Sequence, residues 1–125
     1  MSLLLDTHVL LWWMAGELDS LSNLAKEAIA AEDGRVVISA VVIWEIAIKR
    51  RLGKLNTPPD LLEQLEKAGV DLLPITARHA DRAGSLPLHH RDPFDRLLVA
   101  QADLDGLPLA TADPQLHRYE IKVVW

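Results

Sequence analysis

Several carboxylates of the chain follow or interrupt apolar segments, where an ionised acid needs a partner charge, a metal ion or a raised pKa. Asp6 closes the apolar run SLLLD, and Asp113 follows the apolar segment LPLAT. Glu45 lies inside AVVIWEIAIKRR, where an unpaired ionised carboxylate would be costly to bury. Asp95 opens DRLLVAQA, shortly after Asp92. If these acids met, they would repel one another unless they were protonated or bridged by cations.

The elements that carry these acids alternate between short apolar strands and helices. Strands are expected at 2–6, 35–40, 70–75, 107–113 and 121–125. Helices are expected at 7–16, 21–34, 41–53, 59–69, 76–86 and 92–106. This alternation predicts an α/β fold, a three-layer α/β/α sandwich with a mainly parallel sheet of four or five strands. Ligands of such sheets gather at the carboxyl ends of the strands, so the acids are expected to meet at that edge.

The composition indicates a single domain spanning residues 1–125. Half of the residues are hydrophobic and a quarter are charged, as in an ordinary globule. No apolar run reaches the roughly 20 residues that a bilayer requires, and the N-terminus lacks a signal-peptide pattern, which favours a cytoplasmic protein. The absence of cysteine excludes thiolate-zinc sites and a cysteine nucleophile. The net charge of −5 disfavours electrostatic binding of nucleic acid over a broad surface. Cations bound by the acids would nevertheless reverse the negative electrostatic potential near them.

Oxygen ligands without cysteine or paired histidines favour Mg²⁺, or Mn²⁺, over zinc. Each acid also has a structural alternative. Lys49 follows Glu45 by one helical turn, so an ion pair could explain that carboxylate. Asp92 is a good helix N-cap, Asp95 could complete a capping box with it, and Asp113 could cap the turn that follows. These alternatives stay open for each acid taken alone.

The loop ahead of Asp92 is polar and contains His89, His90 and Arg91. These residues could contact phosphate, but such side chains are ordinary in a polar loop, and a structural interpretation is favoured. A set of aromatic-rich positions in the helices is explained first by core packing. The alternative is an apolar surface for a second subunit or a partner protein. The members of this set are Trp12, Trp13, Met14 and Trp44.

The segments LLLDTHVLLW, SAVVIWEIAIKRRLGKL, LPLHHRDPFDRLLVAQA and LATAD, in this order, resemble the PIN-domain ribonucleases of the VapC toxin type. The resemblance covers essentially the whole chain. The motifs are specific in combination, whereas LLLD alone would be a weak signal. The resemblance implies a PIN-like parallel sheet, an acidic Mg²⁺ or Mn²⁺ site and RNA as substrate. It also implies a homodimer and inhibition by a cognate antitoxin protein.

Matched position by position, the acids of the family correspond to Asp6, Glu45, Asp95 and Asp113. Asp92 stays open between a metal ligand, a support for the ligands and a helix cap. The resemblance implies a metal-dependent endoribonuclease, the toxin of a type II toxin–antitoxin system, that hydrolyses phosphodiester bonds in RNA. The residues expected to position water or substrate are Thr7, Ser39, Thr111, Lys49 and Arg91. The alternative is a PIN-like interaction module that acts mainly by binding a partner protein or RNA, and the presence of all the acids disfavours it.

Overall fold

The computed structural model describes residues 2–125, which are organised around a parallel five-stranded sheet. The strands are β1 (Ser2–Leu5), β2 (Arg35–Ser39), β3 (Asp71–Leu73), β4 (Leu109–Ala110) and β5 (Val123–Val124). Their order across the sheet is β3-β2-β1-β4-β5, and each neighbouring pair is parallel. The chain adds strands on one side of β1 and then crosses to β4 on the other side. The predicted fold class is confirmed, with five strands.

Within residues 2–125, six α-helices flank this sheet. They are α1 (Thr7–Ala15), α2 (Asn23–Ala30), α3 (Ala40–Arg51), α4 (Leu61–Lys67), α5 (Ala77–Ser85) and α6 (Pro93–Asp105). Helix α6 packs against α5 and α3, and α3 also contacts α1. The side chains of Ser22, Thr76 and Asp92 accept backbone N–H groups at the starts of α2, α5 and α6, as N-caps do. No helix in this described range is long and apolar enough to cross a membrane.

The core is centred on β1, which lies between β2 and β4 in the sheet. Leu3, Leu4 and Leu5 are almost completely buried, as an unalternating apolar run in a parallel sheet predicts. Burial of each such side chain contributes roughly 1.5–3 kcal/mol to folding. Because Asp6 follows this strand directly, its backbone is anchored to the buried central strand of the sheet.

Several elements are shorter than the sequence predicted. Strand β4 is limited to Leu109 and Ala110, although a strand was expected over 107–113. After Ala110 the backbone leaves the ladder, and the Asp113 N–H donates to the Thr111 hydroxyl oxygen at 3.1 Å. The end of a strand depends on which backbone groups find partners, and apolar character alone does not reveal that.

Candidate active site

Asp6 stands at the carboxyl end of β1 and also caps helix α1. Its Oδ1 accepts the Val9 N–H at 2.9 Å, and its own N–H donates to the Ala110 carbonyl oxygen of β4 at 3.1 Å. Asp6 is only 6% exposed. Burial raises the pKa of its carboxyl, while hydrogen bonds from Thr111 and Val9 lower it in part. The fold therefore fixes this carboxylate in a place where its negative charge is costly.

Glu45 reaches the same region from the second turn of α3, and it is also only 6% exposed. The Thr7 hydroxyl of α1 donates to its Oε1, and the Lys49 ammonium contacts its Oε2 at 2.6 Å. The intrahelical ion pair considered from the sequence is therefore present. The hydrogen bond to Glu45 raises the pKa of Lys49, as do the charges of Glu45, Asp92 and Asp95, so the ammonium stays protonated beside the acids.

Asp113 approaches from the loop after β4. The fully buried Thr111 accepts the Asp113 N–H and donates its own hydroxyl hydrogen to Asp6. Asp113 Oδ1 accepts the Gln115 N–H at 2.9 Å, so the cap considered as a structural alternative for this acid is present. Thr111 thus couples the acid of β1 to the acid of the β4 loop, although it acts through these hydrogen bonds and does not line the cavity.

The first turn of α6 supplies Asp92 and Asp95. Asp92 Oδ1 accepts the N–H groups of Phe94 and Asp95 at 2.8 and 3.3 Å, so the predicted N-cap is confirmed. Burial, followed by the negative charge of Asp92, raises the pKa of Asp95 to about 7, against a lowering effect of His90. Asp95 is therefore a carboxyl that the metal-free protein holds partly protonated at neutral pH.

His90 is the site residue that the sequence reasoning did not select. Its Nε2 lies 3.1 Å from Asp113 Oδ2 and 3.2 Å from Asp95 Oδ2. Its Nδ1 accepts the Asp92 N–H at 3.0 Å. The neighbouring His89 instead packs its ring against Tyr119, with centroids 4.9 Å apart. The only available signal was a histidine two residues before the N-cap, and nothing in one sequence separates that histidine from the one before it.

The acids open onto one cavity of about 400 Å³ at the carboxyl end of the sheet. Its walls include all five predicted acids, together with Thr7, Lys49 and the histidines His8 and His90. A second cavity of about 410 Å³ lies between α1 and α4 and has a mainly apolar lining. Volume does not distinguish the two cavities, but the concentration of ionisable groups does, and it favours the acidic one.

Besides Thr111, two more of the residues expected to position water or substrate lie outside this cavity. Ser39 is fully buried, where its hydroxyl donates to Gln101 of α6 and its Oγ accepts the Val41 N–H at 3.0 Å. The placement of Ser39 at the site is therefore corrected: the side chain caps α3 and joins it to α6. Arg91 has an exposed side chain beyond the cavity walls.

The donor set fits a hard divalent cation. An oxygen of Asp95 and an oxygen of Asp113 lie within 4.8 Å of each other and of a ring nitrogen of His90. Asp6 and Glu45 face the same cavity. The raised pKa values of Asp6 and Asp95 show that the fold keeps these carboxyls where ionisation is unfavourable without a nearby positive charge. Carboxylate oxygens from separate elements are ligands that Mg²⁺ and Mn²⁺ accept.

A parallel sheet with the order β3-β2-β1-β4-β5 and a cluster of acids at the carboxyl end of its central strand, β1, defines a recognisable class of protein. The chain matches the PIN domain family over residues 3–122, and it belongs to that family. Ribonuclease VapC22 of Mycobacterium tuberculosis (strain ATCC 25618 / H37Rv) is 34% identical over 130 residues, covering 99% of this chain and 98% of that protein. Within the PIN domain family, the chain is of the VapC type.

Two solved structures share this fold. VapBC2 from Rickettsia felis, bound to a DNA fragment from its promoter, has a TM-score of 0.70 at 17% identity, covering 98% of this chain and 97% of that chain. A toxin–antitoxin complex from Klebsiella pneumoniae has a TM-score of 0.68 at 20% identity, covering 98% of this chain and 95% of that chain. At these identities, the likeness shows the fold alone.

Proposed function

We propose that this protein is a metal-dependent endoribonuclease and the toxin component of a type II toxin–antitoxin system. The observation that carries the proposal is the convergence of acids from separate elements on one cavity. These acids are Asp6, Glu45, Asp95 and Asp113. The ribonuclease name of the 34% identical relative supports the reaction class, and the similar toxin–antitoxin complexes support an antitoxin partner.

The four acids would hold Mg²⁺ or Mn²⁺, with Asp92 close enough to assist from the same cavity wall. When bound, such a cation activates water for attack on a phosphodiester and stabilises the developing negative charge. Thr7 and Lys49 each engage one oxygen of Glu45, so they orient its carboxylate. Asp95 would bind a cation as an ionised carboxylate, so the proton that its raised pKa retains would be released on binding.

RNA is the proposed substrate, and the end of α3 offers a positive flank beside the acids. Lys49, Arg50 and Arg51 occupy its last turn, where a phosphate backbone could be guided toward the cavity. We place this reaction in the cytoplasm, where a toxin would meet both RNA and its antitoxin.

A homodimer is part of the proposal, and Trp44 provides its structural support. Trp44 is 56% exposed, and its ring packs edge-on against Phe94 at a centroid distance of 5.0 Å. Core packing therefore does not explain this tryptophan. An exposed tryptophan on α3 that packs against the half-buried Phe94 of α6 suits an apolar contact with a second subunit.

RNA cleavage by the purified protein tests the function directly. We expect cleavage with Mg²⁺ or Mn²⁺, loss of cleavage in EDTA, and loss in Asp6→Asn and Glu45→Gln. Glu63→Gln on the exposed face of α4 is the matched control and should retain full activity. Cleavage that persists unchanged in EDTA, or in Asp6→Asn, would refute the proposal.

A further inference from the structure

Both ring nitrogens of His90 are engaged, and these contacts decide which one carries the proton. A backbone N–H can only donate, so the Asp92 N–H at 3.0 Å requires an unprotonated Nδ1 with a free electron pair. The neutral imidazole therefore carries its hydrogen on Nε2. From there it donates toward Asp113 Oδ2 at 3.1 Å and Asp95 Oδ2 at 3.2 Å.

The loop that carries His90 is held on two sides. On one side, the His90 N–H donates to the Tyr119 hydroxyl at 3.0 Å, and that hydroxyl donates to the Pro87 carbonyl at 2.8 Å. On the other side, the mostly buried Arg96 donates to the carbonyls of Pro87 and His90 at 3.1 and 3.3 Å. The same guanidinium also binds two carbonyls at and just beyond the end of α5. The ring of His90 is thus presented by a fixed backbone.

We propose that His90 is a positioning residue of the metal site: its Nε2–H holds Asp95 and Asp113 converged on the cation, and His90 is not itself a ligand. This inference rests on the proposed function. A nitrogen that carries hydrogen has no electron pair to offer a metal. As a donor to two carboxylates from different elements, it offsets their mutual repulsion. It leaves the second oxygen of Asp95 for the cation, together with the electron pair of Asp113 Oδ1 that the Gln115 N–H does not use.

The consequence for the metal is specific. If His90 were a ligand, the site would combine imidazole nitrogen with carboxylates, and imidazole suits zinc, copper, iron and nickel. With His90 as a donor, the ligand set consists of oxygen atoms, which suit Mg²⁺ and Mn²⁺. The Asp92 N–H therefore influences which metal binds, because it keeps the hydrogen of His90 on Nε2 and so excludes that nitrogen as a ligand.

The test measures Mn²⁺ binding by calorimetry in the parent, His90→Ala and His90→Gln, with pulsed EPR of the bound ion. Glutamine keeps a donor near the position of Nε2 but offers no nitrogen electron pair. We expect His90→Ala to bind Mn²⁺ about 10- to 100-fold more weakly, as when a partner of a ligand is lost. We expect His90→Gln to stay close to the parent, and the parent spectrum to lack a directly coordinated nitrogen.

His89→Ala is the matched control, because it removes a neighbouring ring from the same loop and should leave Mn²⁺ affinity unchanged. Thermal unfolding without metal checks that each variant folds. A directly bound nitrogen in the parent overturns the inference, as does His90→Ala binding at parent affinity or tighter, or His90→Gln binding as weakly as His90→Ala.

The outcome for His90 is separable from the outcome for the proposed function, since the readout is metal binding and not RNA cleavage. A protein that binds Mn²⁺ in the expected pattern but cleaves no RNA refutes the nuclease function and retains the role of His90. If the parent cleaves RNA with Mg²⁺ and the His90→Ala variant binds Mn²⁺ as tightly as the parent does, only the role of His90 is refuted.

Discussion

The two halves of the acidic cavity are built differently. Asp6, directly after β1, and Glu45, on α3, form a buried half, and each of them is only 6% exposed. Hydroxyl groups and Lys49 engage the carboxylate oxygens of this half. Asp95 and Asp113 form a more open half on α6 and the β4 loop, with side chains 23% and 34% exposed. The buried half is held by the core, whereas the open half is held by His90 and backbone amides. We therefore expect the buried half to fix the geometry and the open half to respond to cations and pH.

The largest effect should come from removing a carboxylate of the buried half. Loss of a group that hydrogen-bonds to a metal ligand weakens metal binding about 10- to 100-fold. Asp6→Asn and Glu45→Gln remove a ligand itself, so each should weaken Mn²⁺ binding by more than that. Asp6→Asn should also leave the metal-free protein at least as stable as the parent, because a neutral amide avoids the burial of charge at this position. Calorimetry and urea unfolding measure the two quantities. A metal-free Asp6→Asn protein that is clearly less stable than the parent would mean that the buried charge is well compensated.

The ion pair of the buried half should matter for stability. Lys49→Met leaves the Glu45 carboxylate buried beside Thr7 without its positive partner, and we expect a loss of about 1–3 kcal/mol in the free energy of unfolding. Lys54→Met, at an exposed position just beyond α3, is the control and should change stability little. Equal stabilities of the two variants in urea would indicate that Glu45 is satisfied by Thr7 and solvent alone.

The open half should give the protein a pH-dependent stability. The pKa of Asp95 rises from 3.8 to about 7 on folding, so between these values the folded state binds more protons than the unfolded state. The free energy of unfolding of the metal-free protein should therefore fall as pH rises from 3.8 toward about 7. The raised pKa of Asp6 acts in the same direction.

Urea unfolding at pH 5 and pH 8, in the presence of EDTA, measures this slope. Asp95→Asn should flatten the decrease, while Asp81→Asn on the exposed face of α5 should behave as the parent does. A parent and an Asp95→Asn protein with the same pH dependence would remove Asp95 as its source. Mn²⁺ affinity should run the opposite way and strengthen as pH rises through about 7, since the cation displaces a proton.

The smallest effects separate two hydroxyl groups that look equivalent in the sequence. Thr7→Val removes the donor to Glu45 and should weaken Mn²⁺ binding about 10-fold, the lower end of the effect of losing a ligand's partner. Ser39→Ala should cost about 1 kcal/mol of stability as a lost N-cap and leave Mn²⁺ affinity unchanged. If Mn²⁺ affinity fell as much in Ser39→Ala as in Thr7→Val, the two hydroxyl groups would contribute equally to the metal site, and this distinction would be wrong.

Much of the buried half could be predicted from the sequence, because it depends on local and topological rules. The apolar run before Asp6 predicts a buried strand, and alternation of strands and helices predicts the sheet edge where that acid emerges. The N-cap Asp92 follows from short-range hydrogen bonding, and the structure confirms it. Asp113 also lies where its position after a strand indicated.

The open half was less predictable, since its contacts join residues far apart in the chain. His90 reaches Asp113 from a loop 23 residues earlier, and Tyr119 anchors that loop from 29 residues away. Ser39 has the same local setting as a site residue, yet Gln101 of α6, 62 residues later, takes its hydroxyl hydrogen. No local pattern records which of several polar groups will find such a partner.

By itself, the sequence determined the order of the helices and strands, the edge of the sheet where the acids gather and which carboxylates line the acidic cavity. Periodicity, helix caps and strand polarity are local properties, and parallel topology extends them to one shared edge. Only the tertiary structure decided that His90 joins Asp95 to Asp113, that Ser39 turns to α6 and that Asp95 holds its proton to about pH 7. These features depend on burial and on distances between separate elements, which arise when the chain packs.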